Sequence, residues 1–382
     1  MKFIGIWPDE RKWNRPSSFY VLIPFLLMFC FVSVPMCLNL PLIADDFNLV
    51  IENLSMGNIT FIISLIKIYV IWIHGKPMKC LVDSMARDWN TASDDSEHET
   101  MIVIARLTKR IIGRSIMLML FVLFSFLVLY IYSAKFRSNK LFFYGYYFYN
   151  VSISPNYELT MLAQLLSIIY SSIGYTVVDN FVVMLILHVC AQLMNLRNQL
   201  KKFQGYDKQE LEMKLKKIVR KHIYLNRFVW ENFGCYISLN SLIMSHAFLR
   251  FVKTVENCCN VMLLIQMLGC TFQMCFQFLM VIMSLKDVTN ECFFLQIFFM
   301  SGYLIYVMLQ LYMYCYVGEK LSVESTELAN AAYDSEWYNL SPRSAKLLII
   351  IICRARTPLT ITAGRFCSFS MQLFSQVRAK AL

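Results

Sequence analysis

LTMLAQLLSIIYSSIGYTVVDNFVVMLILHVC, residues 159–190, carries one formal charge, Asp179, in an otherwise apolar and small-polar run. A bilayer hydrocarbon core about 30 Å thick is crossed by about 20 such residues in a helix. Lipid offers backbone groups no hydrogen-bond partner, so a run of this kind spans as a helix or not at all.

Working outward, further runs occupy about 18–43, 57–74, 113–133, 257–284 and 292–316, and a weaker, interrupted one covers about 345–377. β-Barrel alternation is absent. The expected fold class is all-α, a polytopic membrane protein of seven transmembrane helices forming one domain over 1–382. Composition agrees: 58% of residues are hydrophobic and 16% charged, where soluble domains sit nearer half and a quarter. The first run, to about Ala44, is too long for a signal-peptide core and has no small-x-small cleavage site, so it is expected to remain as the first span.

The basic residues explain the net charge of +11 by topology rather than by a nucleic-acid surface. Lysine and arginine number 4 in residues 1–17, 7 in 75–114, 12 in 191–256 and 5 in 317–356. The alternate segments 45–56, 134–158 and 285–291 hold 0, 3 and 1. By the positive-inside rule the N-terminus is cytoplasmic, and seven spans put the C-terminus outside. Segments 191–256 and 317–356 are then cytoplasmic. The glycosylation sequons at Asn53, Asn58 and Asn150 fall in expected outer segments, whereas that at Asn339 falls inside.

In the longest cytoplasmic stretch, Leu211, Leu215, Ile218, Val219, His222 and Leu225 recur at helical spacing with lysines and arginine on the other faces. This predicts an amphipathic helix from Asp207, packed below the membrane as an extension of the bundle. Residues 229–252 are fairly apolar but hold Glu231, Asn232, Asn240, His246 and Arg250, and are expected as an insertion beside the membrane.

Ionisable groups inside spans are costly and are candidates for function. Lys67, about 15 Å below an outer start at Gly57, sits near the midplane, where it can pair with a carboxylate, snorkel or join an ion path. Asp179 and Asn180 are expected near the inner interface. Gln266, Gln273, Gln277 and Gln310 are candidate interhelical hydrogen-bond formers.

Enzyme signatures are missing. The glycines never form G-x-G, and neither G-x-S-x-G nor H-E-x-x-H occurs. The five histidines and thirteen cysteines lack metal-ligand or framework spacing. No catalysis, cofactor or metal is expected, and the cysteines read as small apolar packing groups.

From the sixth run onward the sequence becomes specific. Cys315-Tyr316-Val317-Gly318-Glu319-Lys320-Leu321 precedes Ser325, Ala332-Tyr333 and Trp337-Tyr338, then Arg354-Ala355, Pro358-Leu359 and Thr362-Ala363-Gly364-Arg365-Phe366. This order and spacing resembles the C-terminal signature of the insect odorant receptors, and Phe3-Ile4-Gly5-Ile6-Trp7-Pro8 is similar to the start of many members. The strong match covers about 315–370, while span count, loop lengths and the N-inside orientation match elsewhere.

The resemblance implies a tuning subunit that joins a shared co-receptor in a hetero-tetramer, a ligand-gated non-selective cation channel in the plasma membrane of a sensory neuron. It implies an anchor containing Gly318, Glu319, Tyr333, Trp337 and Tyr338, with a segment from about Ser341 to Arg356. A second segment from about Thr362 would line the pore, with Gly364, Phe366, Ser370 and Phe374 in pore or gating positions. A small volatile hydrophobic odorant would bind between the outer halves of the second, third, fourth and sixth spans. Those halves offer Thr60, Ser64, Phe124, Leu127, Tyr130, Met161, Leu165, Phe294, Phe298 and Ser301, apolar and aromatic walls with a few hydroxyls. Gating would follow from tighter ligand binding to the open state.

The last segment departs from the family. Its apolar part, 366–377, is short and is followed by Arg378 and Lys380. An altered pore contribution and an incomplete product are both open expectations. A gustatory-type channel of the same superfamily is the nearest alternative, separable by whether the co-receptor is needed. A G-protein-coupled receptor is opposed by the N-inside orientation, and a transporter would call for inverted repeats and broken spans.

Overall fold

The computed structural model describes residues 1, 4–7, 19–92, 95–134, 141–201, 246–285, 293–335, 349, 352 and 358–381. The expected amphipathic helix from Asp207, residues 229–245, Trp337, Tyr338 and nearly all of the 341–356 segment lie outside the described residues.

Among the described residues the chain is helical almost throughout. Helix α1, Leu22–Leu42, contains a π-helical turn at Phe29–Ser33. Pro35 sits one turn from the π-turn and has no N–H, so the Phe31 carbonyl four residues earlier lacks its helical donor. The Tyr147 hydroxyl takes that place, donating to Phe31 O at 2.8 Å, and Tyr146 N donates to Pro35 O at 3.0 Å. A helix fault thereby holds the outer loop that follows α4.

Helix α2 occupies residues 47–73: Phe47–Asn53, a π-helical turn Leu54–Asn58, then Ile59–Ile73. Asp46 caps it, its carboxylate accepting from Asn48 N and Leu49 N at 2.9 and 3.3 Å. The helix thus starts ten residues before the expected Gly57. This overturns two of the expected outer glycosylation sites, because Asn53 and Asn58 are buried inside it. Asn58 Nδ2 donates to Asn53 Oδ1, and Asn53 Nδ2 to Met36 O. Asn150 is exposed.

At His74 the chain bends by 74° into α3, Gly75–Thr91, which is polar on one face and buries Met78, Leu81 and Asp88 on the other. Pro77 near its start needs no helical acceptor. Helices α4 (Asp95–Ala134), α5 (Asn156–Lys201), α6 (His246–Ser284) and α7 (Phe293–Tyr333) have 40, 46, 39 and 41 residues. At 1.5 Å per residue each is about 60–70 Å long, twice the hydrocarbon thickness, so their inner ends form a helical layer beyond the bilayer. Residues 246–252, expected in an insertion, begin α6 instead.

Helix α5 packs against α1, α2, α4, α6 and α7. Its most apolar window is 83% buried against 22% for α4, which makes α5 the central post and α4 a lipid-facing helix. Among the described residues five helices are long and apolar enough to cross a membrane, and six do if the bent α2–α3 pair is counted as one span.

From residue 358 the weaker, interrupted seventh run is a hairpin followed by a short helix. Strand β1, Thr362–Ala363, pairs antiparallel with β2, Cys367–Ser368, and α8 is Met371–Ala381. Gly364 and Arg365 both take positive φ, 62° and 63°, which reverses the chain between the two strands. The hairpin is pinned to α6 and α7. Gly364 N donates to Asn260 O, Leu359 N donates to Ser325 Oγ, and Phe369 packs on Gly318, where any side chain would collide with its backbone.

Candidate ligand cavity

Four helices and one loop line a partly open cavity of about 90 Å³. Helix α2 lines it with Gly57, Thr60 and Phe61, α4 with Met119, Val122, Leu123 and Phe126, α5 with Ile168, Ser171, Ser172 and Tyr175, and α7 with Phe299, Tyr303 and Tyr306. On each helix the spacing is i, i+3, i+4 or i+7, one face of a 3.6-residue period. Phe143 from the loop after α4 closes the outer end.

Phe143 is held by a single side chain. Its N–H donates to Gln164 Oε1 at 3.2 Å, and Gln164 Nε2 donates back to Phe143 O at 2.9 Å. The same nitrogen reaches the Tyr147 hydroxyl at 2.7 Å. Gln164 is fully buried on α5, so both backbone groups of Phe143 are satisfied without a strand or helix. Burial pushes the Tyr147 hydroxyl up to about 12, with Gln164 opposing the shift, so it stays a donor to α1. The Phe143 ring lies 5.9 Å from Phe126 and edge-on to Phe61 at 5.4 Å, and Phe126 meets Phe299 at 5.5 Å. These aromatic pairs close the cavity with favourable ring geometry.

One corner is polar. Thr60 Oγ1 and Tyr303 OH are hydrogen-bonded at 2.7 Å, and Gln273 Nε2 from α6 donates to Thr60 Oγ1 at 2.9 Å. Ser171 Oγ, in the same wall, is buried with no partner, and so is Gln273 Oε1. A buried hydroxyl without a partner is costly unless a ligand or water fills the role. The inner end is formed by Tyr175 and Tyr306, whose rings are 6.1 Å apart; Tyr306 OH bonds Thr176 Oγ1 at 2.8 Å.

Beneath Tyr175 lies the ion pair. Lys67 Nζ is 2.7 Å from Asp179 Oδ1, and both side chains are wholly buried. Counted from Phe47 and Asn156, the true helix starts, Lys67 and Asp179 are about 30 and 35 Å down their helices, at one level.

Of the ten residues singled out from sequence for a ligand, Thr60 lines the cavity. Ser64 is buried one turn below and donates to Ser171 O at 3.2 Å. Tyr130 and Met161 meet behind the loop, Tyr130 stacked on Phe142 at 3.9 Å. Leu127 and Leu165 are half-buried outside the cavity wall. Phe124, Phe294, Phe298 and Ser301 point outward, at 67%, 83% and 51% exposure for the three rings. The physical reason is helical phase: neighbouring residues differ by 100°, so Phe126 and Phe299 face inward where Phe124 and Phe298 cannot. The inward set was readable from its i, i+3, i+4, i+7 repeat, whereas Phe143 has no such signal.

The residues assigned to pore or gating sit in the C-terminal unit. Thr362 is in β1, Gly364 in its turn, and Phe366 is 85% exposed. Ser370 Oγ accepts Leu373 N at the start of α8, and Phe374 meets Tyr312 edge-on at 5.5 Å. Of the anchor residues, Glu319 Oε2 accepts Met371 N at 3.3 Å, a carboxylate at a helix N-terminus, while Tyr333 is exposed. Two larger grooves are open and apolar: one of about 490 Å³ between α1 and α2, and one of about 470 Å³ between α6, α7 and α8 with Arg378 at its edge. Neither carries the convergent polar groups of the smaller cavity.

The family model described as 7tm Odorant receptor matches residues 46–381. Odorant receptor 10 of Aedes albopictus is 23% identical over 228 residues, 59% of this chain and 53% of that protein. The odorant receptor coreceptor of Aedes aegypti is 35% identical over 77 residues, 20% of this chain and 16% of its own length. The matched stretches thus span about half or less of these curated relatives. In three dimensions the chain is similar to the insect olfactory receptor OR5 from Machilis hrabei, solved in complex with eugenol. The TM-score is 0.78 at 16% identity, covering 100% of this chain and 94% of that one. Matched by the family model over most of its length, the chain belongs to the 7tm odorant receptor family.

Proposed function

We propose that this receptor binds a small volatile organic molecule in the cavity closed by Phe143, and that with a co-receptor it forms a ligand-gated, non-selective cation channel in the plasma membrane of a sensory neuron. The observation that carries this is the cavity itself: aromatic walls, one polar corner and an unpartnered Ser171 hydroxyl, covered on one side by a loop whose Phe143 backbone is held by Gln164. The similarity to the coreceptor and to a receptor solved with eugenol supports the partner and the ligand class.

At about 90 Å³ the cavity is smaller than the 300–1,000 Å³ typical of drug-sized ligands. The bound molecule is therefore small, or the Phe143 loop and Met119 yield to admit it; methionine is suited to that adjustment. A ligand with one hydroxyl or carbonyl on an aromatic or short aliphatic body satisfies Ser171 while filling the walls.

The test is to co-express the full chain with a co-receptor and record current over a panel of small aromatic alcohols, phenols and esters. Gated current is expected, with Thr60→Val and Ser171→Ala raising the half-maximal concentration for oxygenated agonists by about ten-fold, as one lost hydrogen bond implies. Gated current unaffected by either substitution would sink the cavity assignment.

A further inference from the structure

We propose that Lys67 and Asp179 are positioning residues for gating: the buried ion pair links the inner end of the cavity to the hairpin that starts α8. This rests on the cavity being the ligand site. The contacts run without a gap. Tyr175 lines the cavity, and Lys67 Nζ lies 3.3 Å from the centroid of its ring. Lys67 pairs with Asp179 Oδ1 at 2.7 Å, and the Tyr314 hydroxyl donates to that same oxygen at 2.5 Å. The Tyr314 ring in turn meets Phe369 at 5.6 Å, two residues before α8. Four elements, α2, α5, α7 and the hairpin, meet through these side chains.

A purely structural role explains this less well. Removing charge from water in a helix bundle is costly, and well-packed apolar residues commonly replace buried ion pairs at no loss of stability. The pair is also incompletely satisfied, since Asp179 Oδ2 has no hydrogen-bond partner. The unengaged Oδ2 gives the carboxylate a second acceptor site, and in this proposal transfer of a donor from Oδ1 to Oδ2 is the switching step. A ligand that displaces the Tyr175 ring moves the surface on which Lys67 rests. Asp179 and Tyr314 must then re-form their contacts, and Phe369 shifts with Tyr314.

Tyr314→Phe keeps the ring on Phe369 and removes the hydroxyl on Asp179. Phe369→Leu breaks the ring contact and leaves the ion pair whole. Each is to be recorded with the co-receptor, normalised to surface labelling, using the strongest agonist of the panel above at saturation. The expected result for each is a fall of about five-fold or more in saturating current per surface receptor, the lower end of usual coupling factors. Lys67→Arg, which keeps the cation over the ring, should retain more current than Lys67→Met at equal labelling. Wild-type saturating current in both Tyr314→Phe and Phe369→Leu overturns the proposal. If Thr60→Val leaves the half-maximal concentration unmoved while Tyr314→Phe cuts the current, it is the cavity reading that fails.

Discussion

Replacing Gln164 by leucine removes the tie that holds the outer loop shut while leaving a side chain of similar size. Three hydrogen bonds go: those to Phe143 N, to Phe143 O and to Tyr147 OH, at 3.2, 2.9 and 2.7 Å. Leaving a buried backbone donor or acceptor unmet costs about 1–3 kcal/mol each. The loop regains water when it lifts, so the penalty falls on loop closure rather than on global folding. At the low end, about 1 kcal/mol for each of the two Phe143 groups, the closed form loses about 2 kcal/mol, or about thirty-fold in its equilibrium constant. A molecule held behind Phe143 should leave faster by a comparable factor. The assay is current decay on agonist washout together with the dose–response curve, at matched surface labelling. Decay about ten-fold faster or more is expected, with a parallel rise in half-maximal concentration. Gln164→Glu keeps the acceptor for Phe143 N and loses both donated bonds, so it should fall between. Wild-type decay in Gln164→Leu would refute the reasoning.

Phe126→Ala, which opens the aromatic wall, is expected to raise half-maximal concentrations by ten-fold or more, whereas Phe298→Ala on the outer face should shift them less than two-fold; dose–response curves on the same panel decide. Asn150→Gln should abolish any glycosidase-sensitive gel shift, because Asn53 and Asn58 are buried in α2; a shift that persists in Asn150→Gln contradicts the helix. Glu319→Gln weakens the carboxylate at the N-terminus of α8, worth about 0.3–1 kcal/mol, and should speed hydrogen exchange at residues 371–374 without altering exchange in α5.

Much of the architecture was written in long apolar runs, because lipid forces backbone groups to satisfy one another and the length of a run then measures a span. The helix ends were not. Asp46 is a good cap eleven residues before Gly57, but the apparent glycosylation sites at Asn53 and Asn58 argued for a loop, and only packing shows the two hydrogen-bonded to each other. The hairpin at Thr362–Ser368 was hidden by composition, since its reversal depends on the backbone at Gly364 and Arg365. At the cavity, composition says nothing of helix phase: Phe124 and Phe298 face outward, each within two residues of a ring that lines the wall. Phe143 and its glutamine were out of reach, because a loop seated by one side chain leaves no periodic trace. The Lys67–Asp179 contact lay in between: each charge was conspicuous, but pairing them required both helix starts.

Pro35 lies outside the cavity wall, yet the amide hydrogen it lacks frees the carbonyl that seats Tyr147, and Tyr147 shares Gln164 with Phe143. Changes in the first helix therefore have a route to the seating of Phe143 without altering any residue of the cavity wall. Under the proposed function, tuning can diverge through a helix that stays out of the binding cavity.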